Sequence, residues 1–232
     1  MRKRTFVIGL ALCLLLSMTV NAIAQKAPSE DEIANYQGLL VAAAKGDIAK
    51  INALAKFGTN LNARDGFGRT ALMVAVHLKH LGAAQALIKA GADLNALDSE
   101  RYDMVTIAAV ANNLPMMRLA IASGGDAKLM TSPYDGTALI ASAHLGHVEI
   151  VRDLIKAGAP LDHINNLKWT ALIEAIVLGD GGTNHQLIVQ DLINAGADIN
   201  LADGKGDTPL SLAYQRDYSA MIKMLEAAGA KR

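Results

Sequence analysis

A glycine turn recurs along the chain at nearly constant spacing, and this repeat restricts the possible folds more than any other feature. A representative copy is Gly91-Ala92-Asp93-Leu94-Asn95. Successive turn glycines are 33, 33, 34, 38 and 33 residues apart. A fixed period of this length is typical of a protein built from stacked units, each covering the apolar face of the next. The copies, clear and weak, begin at Gly58, Gly91, Gly124, Gly158, Gly196 and Gly229.

Between the glycines, each unit predicts two helices. In the second unit, residues 65–69 read as a turn and Thr70 as the N-cap of a first helix, because its hydroxyl can accept from amides of the first turn. A second helix over 83–90 is expected to end at Gly91, which can adopt a left-handed conformation without a Cβ penalty. The pattern therefore predicts an all-α protein.

Several motifs recurring in phase resemble the ankyrin repeat family. Residues 208–211 read Thr-Pro-Leu-Ser, close to the family's Thr-Pro-Leu-His opening, and residues 146–155 match its second-helix pattern. The resemblance implies an ankyrin-repeat solenoid of about six helix-turn-helix units joined by β-hairpin-like turns. The repeat domain is expected over 36–232, with units near 36–64, 65–97, 98–131, 132–164, 165–202 and 203–232.

The first 24 residues precede the repeats and predict a signal peptide. Basic Arg2, Lys3 and Arg4 are followed by an apolar run over 6–20 and by a small-x-small site ending at Ala24. We expect cleavage after Ala24, a polar lead-in over 25–35, and a periplasmic protein with no stable membrane insertion. The alternative is an uncleaved anchor, but the apolar run is shorter than the ~20 residues that span a bilayer.

Charge and motif content argue against several functions. Without the three leader bases, acidic residues outnumber basic ones by three, so the basic footprint of a nucleic-acid binder is absent. The single cysteine lies in the leader, and no serine has a Gly-x-Ser-x-Gly context. We therefore predict no catalytic residues, no enzymatic activity and no cofactor.

Two histidine pairs invite a metal interpretation. His77/His80 and His144/His147 are each spaced i, i+3. The pairs lie two units apart, too far to share an ion, and neither has a clear third ligand for zinc. The second histidine of each pair falls at a position where the resemblance implies a structural role. We predict no metal ligands.

Four aromatic residues fall on the predicted turns, and they nominate a binding surface. Protein-binding hot spots are enriched in Trp and Tyr, and the resemblance implies a concave groove lined by turn tips and first helices. The alternative is that some rings pack beneath neighbouring turns. The predicted partner-binding stripe comprises Phe67, Arg69, His77, Tyr102, Tyr134, His144 and Trp169.

These observations predict a monomeric, non-catalytic interaction module that binds a partner protein in the periplasm. The partner could be an enzyme or effector that is stabilised, inhibited or positioned, as by an immunity protein. An alternative is a small-molecule or metal-ion binding protein that uses histidines and the five-residue excess in the fifth unit, at Gly179–His185. That excess also fits a tolerated surface insertion, since loop lengthening costs little.

Overall fold

A computed structural model describes residues 25–232, so the predicted signal peptide lies outside the described residues. Among residues 25–232, no helix is both long and apolar enough to cross a membrane. The helices of this part of the chain are α1 (Glu30–Asn35), α2 (Gly38–Ala44), α3 (Ile48–Lys56), α4 (Ala71–His77), α5 (Leu81–Ala90), α6 (Met104–Val110), α7 (Leu114–Ala122), α8 (Ala138–His144), α9 (Val148–Lys156), α10 (Ala171–Val177), α11 (Thr183–Ala195), α12 (Pro209–Gln215) and α13 (Ser219–Ala227).

From α2 onward the helices form six antiparallel pairs that stack in series. The first helices of successive pairs, α2, α4, α6, α8, α10 and α12, lie side by side in one row, and the second helices form a parallel outer row. The turns carry isolated antiparallel bridges, at Arg64 with Thr70 and at Thr131 with Gly136. The predicted all-α solenoid of six helix-turn-helix units is confirmed. The short α1 occupies the segment predicted as a polar lead-in.

Local capping places the start of α4 and the end of α5 where the sequence predicts them, whereas α5 begins at Leu81, two residues before the predicted start. The Thr70 hydroxyl accepts from the Met73 amide at the start of α4, and Gly91 ends α5 with φ 99°. In the third unit Asp103 replaces the capping threonine, and its Oδ1 accepts from the Thr106 amide at 2.9 Å. The departure from the Thr-Pro-Leu pattern therefore leaves the cap intact.

The core lies between the two helix rows. Alanines and branched residues of the first helices are buried against leucines and isoleucines of the second. The methionines of the third unit behave mostly as core residues, because Met104, Met116 and Met117 are fully buried while Met130 is exposed. Small first-helix side chains let neighbouring units approach closely.

At four of the five junctions, the asparagine or aspartate that closes the glycine turn binds the next unit. Asn62 Oδ1 accepts from the Asp93 amide at 3.0 Å, and Asn95 Oδ1 accepts from the Asp126 amide at 2.9 Å. The same bond joins the two later junctions through Asp162 and Asn200. Each such bond links a side chain to a backbone 31 or 36 residues further along.

The junction between the third and fourth units lacks both halves of this bond. Lys128 stands where other units have asparagine or aspartate, and its ammonium cannot accept a hydrogen bond. Pro160 stands where the other units supply the donating amide, and proline has no N–H. The two exceptions fall at the same junction, so neither leaves an unpaired group behind.

The turn tips are each organised by one polar side chain, which is acidic or an amide except at Ser132 of the fourth unit. Asp65 Oδ1 accepts from the amides of Phe67 and Arg69, both at 2.9 Å. Asp98, Asn165 and Asp203 repeat this arrangement in later units. Backbone bonds of 3.0 Å also join successive tips, from Ser99 to Phe67, from Ser132 to Arg101 and from Asn166 to Tyr134.

Side chains at the start of the second helices bond to the preceding unit. His80 Nε2 lies 3.0 Å from the Ala44 carbonyl oxygen, and His147 Nδ1 lies 3.0 Å from that of Ala109. His185 and Tyr218 make the equivalent contacts to His144 and Gly179, at 2.9 Å each. The structural role expected of His80 and His147 is confirmed.

The insertion at Gly179–His185 is folded against its neighbours. Asp180 Oδ1 lies 2.8 Å from His185 Nδ1, and the Gly182 amide donates to the same oxygen at 2.8 Å. Gly181 has φ 71°, and a Cβ there would lie 2.5 Å from the Tyr218 ring. The extra residues thus form a glycine-dependent contact with the sixth unit and lengthen α11 to 13 residues.

Candidate functional site

A cavity of about 210 Å³ opens on the row of first helices in the third to fifth units. Its walls come from α6, α8 and α10, from the turn tips that precede them, and from the first described residue. The lining residues are Gln25, Tyr102, Thr106, Val110, Thr131, Ser132, Tyr134, Gly136, Thr137, Ile140, Ala141, His144, Leu145, Asn165, Leu167, Glu174 and Leu178. We call this feature the groove cavity.

A carboxylate lies in the wall of the groove cavity. Glu174 is only 4% exposed, and its Oε1 accepts from Asn165 Nδ2 at 3.0 Å. Its Oε2 lies 3.6 Å from His144 Nδ1, beyond the range of a strong hydrogen bond. Asn165 is itself buried and also holds the turn tip, so one amide serves both the fold and the carboxylate.

Burial sets the protonation of this pair. Desolvation raises the pKa of Glu174 to about 7, and the Asn165 hydrogen bond offsets only part of that effect. Burial also lowers the pKa of His144, helped by the nearby His185. Opposite shifts of this kind favour a neutral imidazole, so we describe the contact as a polar pair and not as an ion pair.

Apolar side chains surround this polar pair and reach the surface. Leu145 is 43% exposed and Leu167 is 39% exposed, and both line the groove cavity. On the opposite wall the hydroxyls of Thr106 and Thr131 lie 3.0 Å apart and satisfy each other. The groove cavity is therefore an apolar depression with one acidic point.

Three residues of the predicted stripe line this cavity: Tyr102, Tyr134 and His144. Tyr134 and His144 are half-buried. Tyr102 is only 6% exposed and packs in the core, so it presents little surface to a partner. The structure thus buries the Tyr102 side chain, as the alternative of packed rings would require.

Arg69 does not fit the contact role that the sequence suggested. It is 1% exposed, and its Nη2 lies 2.6 Å from Asp65 Oδ2 and 2.9 Å from Glu32 Oε2. Its Nη1 donates to the Lys26 carbonyl oxygen at 3.0 Å. Arg69 therefore fastens the N-terminal segment to the second unit and has no surface left for a partner.

Phe67 belongs to the same N-terminal cluster, away from the groove cavity. Its ring is partly exposed and lies 3.9 Å from the Lys26 ammonium and 4.8 Å from the Arg69 guanidinium carbon. Both cations lie within the distance of a cation–π interaction with the ring. Phe67 remains reachable from solvent at the tip of its turn.

His77 and Trp169 lie outside the lining of the groove cavity. Burial, with a smaller contribution from the Arg69 charge, lowers the pKa of His77 to about 4. Its Nε2 is buried without a hydrogen-bond partner within residues 25–232. Trp169 is half-buried, and its indole packs against the core at the start of α10. The predicted stripe is thus divided among the N-terminal cluster, the groove cavity and these two positions.

Sequence reasoning missed Glu174 and Asn165, although Glu174 leaves a signal. The first helices read as apolar runs, and the position of Glu174 is occupied by Val74, Ile107, Ala141 and Leu212 in other units. A single carboxylate within an otherwise apolar helix is the pattern that would have found it. Asn165 gives no such signal, because polar residues are common at turns.

The geometry gives little support to the alternative of a metal or small-molecule site. Among residues 25–232, no group of three or more His, Cys, Asp or Glu side chains could hold a metal ion. Both ring nitrogens of His185 are engaged, by Asp180 and by the His144 carbonyl oxygen. The histidine of the insertion is therefore committed to the fold.

Comparisons with known proteins agree on one family. The family model for ankyrin repeats, in three copies, matches residues 11–102 and 105–203. The chain is similar to the ankyrin repeat protein YahD of Escherichia coli K12, with 36% identity over 192 residues, 82% of this chain and 95% of YahD.

Solved structures give the same result. An ankyrin repeat domain from Acinetobacter baumannii has a TM-score of 0.80 and 48% identity, over 83% of this chain and 98% of that one. A second ankyrin repeat protein, EF0377, has a TM-score of 0.76 and 32% identity, over 82% and 98% of the two chains. Proteins of this family generally act as protein–protein interaction modules.

Proposed function

The chain belongs to the ankyrin repeat family, and on that premise we propose that it is an exported, non-catalytic interaction module that binds one partner protein in the periplasm. The partner is an enzyme or effector that the module stabilises, inhibits or positions. An immunity protein that neutralises a secreted effector is one specific form of this function. The contact surface is the concave row of first helices around the groove cavity.

The exposed apolar rim of the groove cavity carries this proposal. Leu145 and Leu167 each keep about two fifths of their surface in contact with solvent beside a depression that is already formed. Exposed apolar surface around a cavity is typical of protein-binding sites. A standard interface of ~800 Å² per partner could be supplied by three or four neighbouring units.

Fixed geometry supports binding without a large ordering cost. The units are joined by side-chain bonds at the glycine turns, by backbone bonds at the turn tips and by histidine bonds between helix pairs. A surface held in this way loses little conformational entropy on association. The cavity is also smaller than the ~300–1,000 Å³ of most small-molecule sites, so it suits one anchoring side chain better than a free ligand.

Export is tested by cell fractionation and N-terminal sequencing. We expect the protein in the periplasmic fraction of an expressing bacterium, with Gln25 as its first residue. An intact N-terminus retained in the membrane fraction would support the uncleaved anchor. Recovery in the cytoplasm with residues 1–24 attached would refute export altogether.

Binding is tested by affinity capture from a periplasmic extract of the native host. The test variant is Leu145→Ser with Leu167→Ser, which removes the apolar rim. The matched control is Phe57→Ser, because Phe57 is 88% exposed and lies outside the groove cavity. We expect the wild type and the control to capture the same protein, and the test variant to bind it at least about tenfold less tightly.

Equal capture by all three proteins would place the interface elsewhere. Loss of capture in both variants would indicate a non-specific apolar effect. Thermal melting of each variant confirms that the surface changes leave the fold intact, as expected for exposed positions.

A further inference from the structure

We propose that the groove cavity is an anchor site for a single arginine side chain of the partner, whose guanidinium pairs with the Glu174 carboxylate. The inference rests on the proposed function and specifies the chemistry of its partner. It makes Glu174, supported by Asn165 and His144, a recognition residue that the sequence pattern did not nominate.

The charge of the lining is the first argument. Among the residues that line the groove cavity, Glu174 is the one acidic side chain, and no lysine or arginine accompanies it. Buried carboxylates in folded proteins are ordinarily paired with a cation or neutralised. Desolvation raises the pKa of Glu174, and no lysine or arginine side chain lines the groove cavity to offset it. A cationic side chain from outside would supply the missing charge.

Hydrogen-bonding capacity is the second argument. A carboxylate offers about four acceptor sites, and Asn165 uses one of them on Oε1. His144 approaches Oε2 only to 3.6 Å. The remaining capacity suits a guanidinium, which presents several N–H donors in one plane and pairs with carboxylates through two parallel bonds.

The walls distinguish arginine from lysine. Ile140, Leu145 and Leu178 provide apolar surface for the methylene stem of a long side chain. Tyr134 also lines this space, and guanidinium groups stack on aromatic rings. Because a guanidinium is more weakly hydrated than an ammonium, it enters such a site at lower desolvation cost. His144, with its lowered pKa, adds no competing positive charge near neutral pH.

A small probe tests the site without the partner. N-acetyl-arginine methylamide is titrated into the purified protein to about 50 mM, well above the millimolar Kd expected for one anchored side chain, and binding is followed by amide chemical shifts. We expect saturable shifts confined to the third, fourth and fifth units, whose residues line the groove cavity. The corresponding citrulline amide, which has a similar shape but no charge, should bind at least about tenfold more weakly.

Two variants assign the effect to the carboxylate. Glu174→Gln keeps the size of the side chain and should weaken arginine binding at least about tenfold. Glu149→Gln makes the same change in net charge on the outer helix α9, where Glu149 is exposed, and should leave binding unchanged. The lysine amide should bind more weakly than the arginine amide.

Three results would each overturn the inference: no saturable shifts with the arginine amide, equal binding of the citrulline amide, or unchanged binding in Glu174→Gln. The comparison of arginine and citrulline uses wild-type protein, so it stands even if the Glu174 variant is unstable. If the arginine probe fails while Leu145 and Leu167 still govern partner capture, the proposed function survives without this anchor. If capture also fails, both proposals fall.

Discussion

Replacing Glu174 by glutamine should stabilise the protein at alkaline pH while changing little under acidic conditions. The carboxyl is 4% exposed and receives one hydrogen bond from Asn165, so its charged form is poorly solvated. Glutamine keeps an oxygen for Asn165 to donate to and never becomes charged. The variant therefore removes the cost of a buried charge without opening a cavity.

The magnitude follows from the pKa of this group. Burial raises the pKa of Glu174 from an ordinary 4.5 to about 7. Since the folded chain holds this proton more tightly than the unfolded chain, the associated stability is complete below pH 4.5 and is lost as the pH rises through 7. The difference between the pKa of Glu174 in the folded chain and in the unfolded chain corresponds to about 3 kcal/mol of stability at most. The glutamine variant keeps this stability at every pH, because glutamine does not ionise. Above pH 8 its free energy of unfolding should therefore exceed that of the wild type by up to that amount.

The assay is urea unfolding of both proteins at about pH 5 and pH 8.5. Subtracting the unfolding free energy of the wild type from that of the variant at each pH removes the titration of residues common to both, including His77. A 3 kcal/mol gain would also raise the melting temperature by about 6–12 °C for a chain of this size. Glu149→Gln, an exposed glutamate on α9, serves as the control for the change from Glu to Gln itself.

The refuting result is equally specific. If the difference in unfolding free energy between Glu174→Gln and the wild type were the same at both pH values, Glu174 would titrate normally. A carboxyl that titrates normally would be solvated or paired in the folded protein. The description of the groove cavity as an apolar depression with one buried acid would then be wrong.

Three further predictions concern the contacts between units. Asn95→Ala should lower the unfolding free energy by about 1 kcal/mol, as measured by urea denaturation, because it removes a hydrogen bond between the second and third units. Lys128→Asn and Pro160→Asp should be non-additive, with the double variant more stable than the sum of the single changes by about 0.5–1.5 kcal/mol; additive effects would show that no bond forms. Gly181→Ala should cost about 1–3 kcal/mol in the same assay, because its Cβ would clash with Tyr218.

The fold could be predicted because its signals are local and repeated. The left-handed glycine at the end of α5 and the threonine cap of α4 are properties of a few adjacent residues. Six copies in phase then remove most of the ambiguity that any single copy carries. The repeat period is also enough to predict how the units stack, since each unit contacts mainly its neighbours.

The site was predicted less well because burial depends on what covers a residue. Arg69 looked like a turn residue available to a partner, yet the segment at Lys26 and Glu32 covers it. Tyr102 was predicted as a contact residue because it lies on a turn, yet its side chain is buried in the core. A turn position fixes the backbone conformation, whereas the direction and exposure of a side chain depend on contacts with residues distant in sequence.

Lys128 and Pro160 show how far a repeat sequence can be interpreted when positions are considered in pairs. Taken alone, each is an unexplained departure from its unit. The structure places them on the two sides of one junction, where other units pair a side-chain acceptor with a backbone donor. A donor without an acceptor, or the reverse, would leave a polar group unpaired, whereas losing both costs only one net bond. Matched exceptions of this kind are variation that the stack tolerates, whereas no lysine or arginine lines the groove cavity to compensate the charge of the Glu174 carboxylate.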